Sequence, residues 1–149
     1  MSLMALPNFD AMWSAYPTGT SDEVKRKIGG GVAGDWVVNT CVIRISHCFN
    51  EAGVPIPNSY PGLTTTFGAD RRRYAFRVTE FKRYLEREYR APDVRGTGRS
   101  AVQGRKGIIM FDVQGWSDAT GHLDLWDGSK CVGSEFFDKA HAIYLWDAT

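Results

Sequence analysis

Two of the chain's three cysteines lie seven positions apart in NTCVIRISHCFNEAG, residues 39–53, a segment that reads as one helix. The first turn of a helix presents unpaired N–H groups and the positive end of the macrodipole, and both favour thiolate over thiol. Cys41 falls in that turn and is the better nucleophile by position, although position alone does not separate a nucleophile from a small buried hydrophobe. Cys48 lies two turns on, flanked by Ile45 and Phe49, and reads as inert core packing. A thiolate that cleaves an amide needs an imidazole to hold the ion pair and then protonate the leaving amine. His47 follows Cys41 by six residues and so points from another face of the helix. His141 opens the last strand without a second polar group beside it. His122 follows a glycine that permits close approach, starts a strand, and has Asp124 two residues on along the same strand face. It is the candidate base.

The elements that must position these groups can be read from periodicity. In NFDAMWSAYP the residues Phe9, Met12, Trp13 and Tyr16 form a helical stripe that Pro17 ends. SDEVKRKIGGG predicts a short second helix, with Ser21 as its cap, acidic residues first and basic ones later. In the third helix Asn39 or Thr40 can cap, Cys41, Ile45, Cys48 and Ala52 share a face, and Gly53 with Pro55 ends it. PNSYPGLTTTFGADRRRYAF reads as loop, with RYAFRV a possible short strand, and Thr79 is the expected cap of EFKRYLEREY. RAPDVRGTGRSAVQGRKG lacks apolar periodicity and reads as a long loop. GIIMFDV, GHLDLWDG and AHAIYLW are β-branched or aromatic runs between turn residues, as antiparallel strands are. Helices first and a small sheet afterwards predict an α+β fold, and 149 residues fit one domain over 1–149.

Composition narrows the function further. With 18 Lys and Arg against 17 Asp and Glu the formal net charge is +1, so nothing calls for a nucleic acid or an anionic membrane as partner. No apolar run approaches the roughly 18 residues of a membrane span. The opening MSLMALPNFD lacks a signal-peptide pattern, and synthesis in the cytoplasm is expected. Cys41, Cys48 and Cys131 have no CxxC spacing, so neither a metal site nor a thiol redox motif is expected, and no cofactor is called for.

A helix-borne cysteine followed by a histidine on an antiparallel strand is the order found in papain-like enzymes, where a third polar group orients the imidazole. NTCVIRIS followed by NEAGVPIP, then ATGHLDLWDG with a cysteine nine residues after its histidine, then a closing YLW, resembles the type VI secretion amidase effectors of the fourth family. These are compact members of the NlpC/P60 cysteine peptidase superfamily. NFDAMWSAYP, GGGV, GADRRRYAFRVTEF and KGIIMFDVQGWSDATGH extend the resemblance over nearly the whole chain. It implies a papain-like NlpC/P60 domain with N-terminal helices packed on a small antiparallel sheet. It implies an antibacterial effector, carried by the type VI machinery into the periplasm of a rival cell, that hydrolyses the γ-D-glutamyl to meso-diaminopimelate amide of peptidoglycan stem peptides. A cognate immunity protein would protect the producer.

By the same resemblance the nucleophile matches Cys41 and the base matches His122. The family pattern has a catalytic aspartate two residues after the cysteine matching Cys131, where this sequence has Gly133. The third member is therefore open among Glu135, Asp124, and a water or backbone carbonyl. Family members also carry a second cysteine shortly after the one matching Cys131; none follows here, and no local disulfide is expected. The substrate's carboxylates would suit a cationic groove built from Arg44, Arg95, Arg99, Arg105 and Lys106, unless those charges only solvate a loop. Two other readings compete: a hydrolase that trims the cell's own wall, and a non-catalytic relative or interaction domain with an incomplete triad.

Overall fold

The computed structural model describes residues 4–113 and 121–149. Of KGIIMFDVQGWSDATGH, the part at 114–120 lies outside the described residues, as do residues 1–3. Among the described residues four helices come before the main sheet. They are α1 (Phe9–Ala15), α2 (Ser21–Ile28), α3 (Cys41–Glu51) and α4 (Val78–Glu88), with a 3₁₀ turn at Gly30–Ala33. A two-stranded hairpin, β1 (Thr65–Phe67) and β2 (Arg73–Ala75), precedes α4. The main sheet consists of β3 (Val94–Gly96), β4 (Gly107–Asp112), β5 (Gly121–Trp126) and β6 (Ala142–Asp147). Its order is β3-β6-β4-β5, antiparallel throughout.

The helix ends show why the chain turns where it does. Thr20, not Ser21, caps α2: its hydroxyl accepts from Glu23 N while Glu23 reaches back to Thr20 N, a reciprocal box that the Ser21 reading missed. The α3 helix ends in a Schellman arrangement. Gly53 takes a φ of 85°, and Val54 N donates to Phe49 O at 3.0 Å. The α4 helix begins at Val78 with Arg77 in the cap position, two residues earlier than a Thr79 cap implies.

Two apolar faces sandwich the sheet. On one, α1, α3 and α4 contribute Phe9, Met12, Ile45, Phe49, Phe81 and Leu85, packed against Ile108, Met110, Leu123, Leu125 and Trp146. On the other, Ile109, Phe111, Trp126, Ile143 and Leu145 pack with Val102, Phe136 and Phe137 from the connecting segments. This second cluster corrects the long-loop reading of residues 90–107. That segment forms β3 and a 3₁₀ turn (Arg99–Ala101), and Val102 O accepts from the Trp126 indole at 2.9 Å. The preceding "loop" before α4 likewise holds the β1–β2 hairpin, whose inner residues Thr66 and Tyr74 are buried.

Candidate active site

The nucleophile candidate is fixed by its helix. Cys41 is the first residue of α3 and is buried. Its N–H donates to Asn39 Oδ1 at 2.9 Å, so Asn39 holds the start of the helix although Thr40 is the formal cap. Thr40 instead bonds Ser21 Oγ at 3.0 Å and Arg44 Nε at 3.2 Å, and Arg44 reaches Pro17 O at 3.0 Å. These bonds tie the first turn of α3 to α2 and to the end of α1.

The base candidate sits one residue into β5. A Cβ at Gly121 would run into the Phe111 carbonyl, so the close approach expected beside His122 is real. Antiparallel register pairs Phe111 with His122 and Ile109 with Asp124, which puts the histidine and the aspartate on one strand face. The imidazole lies 6.2 Å from the Phe111 ring and 4.9 Å, edge on, from Phe136. Its Nε2 meets Asp124 Oδ2 at 2.7 Å. Cys41 interacts with the same ring. Burial works against a charged imidazole here, but hydrogen bonds to Asp124 and Cys41 outweigh it and push His122 up to about 9.

Of the open candidates for a third polar group, Asp124 is the one in contact with His122. It has no exposed surface, and its carboxylate is saturated with donors. Oδ1 accepts from Leu125 N at 2.8 Å and Gly133 N at 2.9 Å, and Oδ2 accepts from Ser134 N at 2.8 Å as well as facing the imidazole. Gly133 and Ser134 arrive on the segment that folds back beside β5 through a single bridge of Cys131 to Trp126, where Val132 N donates to Leu125 O at 3.1 Å. Glu135 is occupied elsewhere: it forms an ion pair with Arg99 and accepts from Cys131 N at 3.2 Å.

The remaining cysteines and histidines fall outside this cluster's chemistry. Burial pushes the Cys48 and Cys131 thiols up, with Asp124's charge adding to both, and all three cysteines are unpaired. His47 stands against Tyr74 Oη at 3.4 Å and Glu51, and burial lowers its pKa. His141 lies 3.5 Å from Asp112, so it has the polar neighbour that the sequence did not suggest. Among the described residues no group of His, Cys, Asp and Glu could hold a metal ion. Also among them, no helix is long and apolar enough to cross a membrane.

The cations expected to line a groove are largely committed to packing. Arg99 stacks over Trp126 and Phe137 besides pairing with Glu135, Arg105 pairs with Asp147, and Lys106 lies over Phe9. Arg95 and Lys82 lie over the Tyr144 ring. Tyr16 was placed only in the helical stripe. Its hydroxyl reaches the space around Asp124 and Gly133, and burial, then Asp124, pushes its pKa up. No sequence signal marks that contact, since residues 16, 124 and 133 belong to three separate segments.

The profile of the family described as "Type VI secretion system (T6SS), amidase effector protein 4" (Tae4) matches residues 37–146. A crystal structure of the type VI effector Tae4 from Enterobacter cloacae superposes with a TM-score of 0.90 at 30% identity, covering 100% of both chains. The Tae4–Tai4 effector–immunity complex from Salmonella Typhimurium gives 0.89 at 32% identity, over 97% of this chain and 99% of that one. The corresponding Enterobacter cloacae complex gives 0.88 at 28%, over 97% and 99%. A search of curated protein sequences gave no match.

Proposed function

The chain belongs to the Tae4 family of type VI secretion system amidase effectors, and we propose that it is a cysteine hydrolase of the papain-like NlpC/P60 kind, one domain over residues 1–149. Its substrate is the γ-D-glutamyl to meso-diaminopimelate amide of peptidoglycan stem peptides, met in the target cell's periplasm after type VI delivery. The observation that carries this reading is the His122 imidazole, bracketed by Cys41 at a helix start and a buried carboxylate.

In this mechanism the Cys41 sulfur attacks the glutamyl carbonyl carbon, and the carbonyl oxygen takes the negative charge. Backbone N–H groups at the start of α3 hold that oxygen. The Cys41 N–H becomes free for it when Asn39 Oδ1 turns away. His122, protonated at neutral pH, gives its proton to the departing diaminopimelate amine as the C–N bond breaks. Water then attacks the thioester, His122 takes its proton, and the C–S bond breaks to release the glutamate carboxyl product and return Cys41 as the thiolate beside protonated His122.

The Tae4 relatives from Enterobacter cloacae and Salmonella Typhimurium are found in complexes with the immunity protein Tai4. We assign this chain a cognate inhibitor of the same kind. The reading of an inactive relative rested on the glycine at 133, yet the imidazole has a carboxylate beside it, supplied by position 124. The test is digestion of diaminopimelate-type muropeptides, with products identified by mass spectrometry. The protein should release fragments cut between D-glutamate and diaminopimelate and the Cys41→Ala variant none; cutting elsewhere, or by both proteins, would overturn the assignment.

A further inference from the structure

Gly133 is crowded in a specific way. A Cβ built there would fall well inside contact distance of Asp124 Oδ2, 3.2 Å from Asp124 Cγ and 2.7 Å from Tyr16 Oη. The Gly133 and Ser134 N–H groups meanwhile donate to the two oxygens of that same carboxylate. The returning segment thus approaches Asp124 backbone first, and any side chain at 133 would need the volume that the carboxylate fills. A positive φ does not explain the glycine, because its backbone lies outside the left-handed region.

We propose that Asp124 is the positioning residue for His122, and that Gly133 is its steric complement, the residue whose missing side chain leaves room for the carboxylate. The two positions form one unit. The carboxylate fixes Nε2 of the ring, leaving the other nitrogen to Cys41, while the 133–134 backbone fixes the carboxylate. The role in catalysis rests on the cysteine hydrolase reading above; the spatial coupling of 124 and 133 does not.

Among the described residues the ring's charged and titratable neighbours are few. Asp124 faces it from its own strand and Cys41 from α3, with Phe111 and Phe136 on its flanks. Around Asp124 stand Tyr16, Cys48 and Cys131, each with a pKa pushed up and therefore uncharged near neutrality. Among the described residues Asp124 is thus the carboxylate that meets the ring.

Two readouts test the pair, and one needs no substrate. The His122 titration is followed by NMR of its ring signals in the wild type, Asp124→Asn, Gly133→Ala and the double variant. Asp124→Asn keeps an oxygen for Leu125 and Gly133 and is chosen over alanine so that the loop stays folded. Both single variants should lower the His122 midpoint by a unit or more, since the added Cβ must displace a carboxylate that is otherwise intact. In the double variant the second change should add little, because contact-coupled changes are not additive. In parallel, kcat on muropeptides should fall by about a hundredfold or more in each single variant, by analogy with loss of a triad acid, with KM little changed. A Gly133→Ala protein that is folded and keeps the wild-type midpoint would overturn the pairing. So would single shifts that simply add in the double variant, or an Asp124→Asn midpoint that does not move. If the wild type cuts no muropeptide, the hydrolase reading fails while the NMR cycle still decides the coupling.

Discussion

Deprotonating His122 should weaken the fold on the alkaline side of neutrality. The folded imidazole is raised from an ordinary value of 6.5 to about 9. The native state therefore holds one more proton than the unfolded chain between those pH values. The sign follows: a raised histidine contributes stability that is fully present below about pH 6.5 and is lost as pH rises through about 9. At about 1.4 kcal/mol per unit the total is on the order of 3 kcal/mol. Its side chain is 14% exposed, so solvent screening removes little of this. Urea unfolding at pH 6, 7.5, 9 and 10, for the wild type and for His122→Gln, separates the histidine and its two partners from the titrations elsewhere in the chain. The wild type should lose about 3 kcal/mol more than the variant across that range, most of it between pH 7 and 9. Parallel stability curves for the two proteins would refute the claim that Asp124 and Cys41 hold a proton on this ring.

Other consequences follow from individual contacts. Cys48→Ser places a hydroxyl in a fully buried site and should cost about 1–3 kcal/mol in urea unfolding, with muropeptide turnover within a few-fold of wild type. Arg99→Ala removes the ion pair to Glu135 and the stacking on Trp126 and Phe137. It should lower stability by about 1 kcal/mol and leave KM unchanged, whereas a substrate-binding arginine would raise KM. Asn39→Ala deletes the acceptor of the Cys41 N–H and should cost about 1 kcal/mol. If that N–H serves the oxyanion, kcat should be retained within about tenfold, because the donor is then permanently free.

Local signals made much of this molecule legible before its structure. The stripe Phe9, Met12, Trp13 and Tyr16, the Gly53–Pro55 stop after α3, and the three apolar runs that became β4, β5 and β6 all show in nearest-neighbour periodicity. Cys41 and His122 were singled out because each sits at the end of an element, where a helix dipole or an adjacent glycine marks the position. Contacts made across the chain were illegible. The 90–107 segment reads as loop because its apolar members, such as Val102, are isolated in sequence and meet Trp126 only in three dimensions. Its arginines look free for a substrate because their partners Glu135 and Asp147 are 36 and 42 residues away. The glycine at 133 looked like a lost carboxylate for the same reason. What fills its place comes from position 124, and no spacing rule connects the two.

The most direct test is whether an acyl group passes through Cys41. A single-turnover reaction with a diaminopimelate tripeptide substrate is quenched in acid within its first turnover, digested, and mapped by mass spectrometry. The account predicts a γ-glutamyl thioester on the peptide carrying Cys41, accumulating in the wild type and absent when His122 is replaced by alanine. Product formation with the adduct on Cys48 or Cys131, or with Cys41→Ala as active as the wild type, would contradict it.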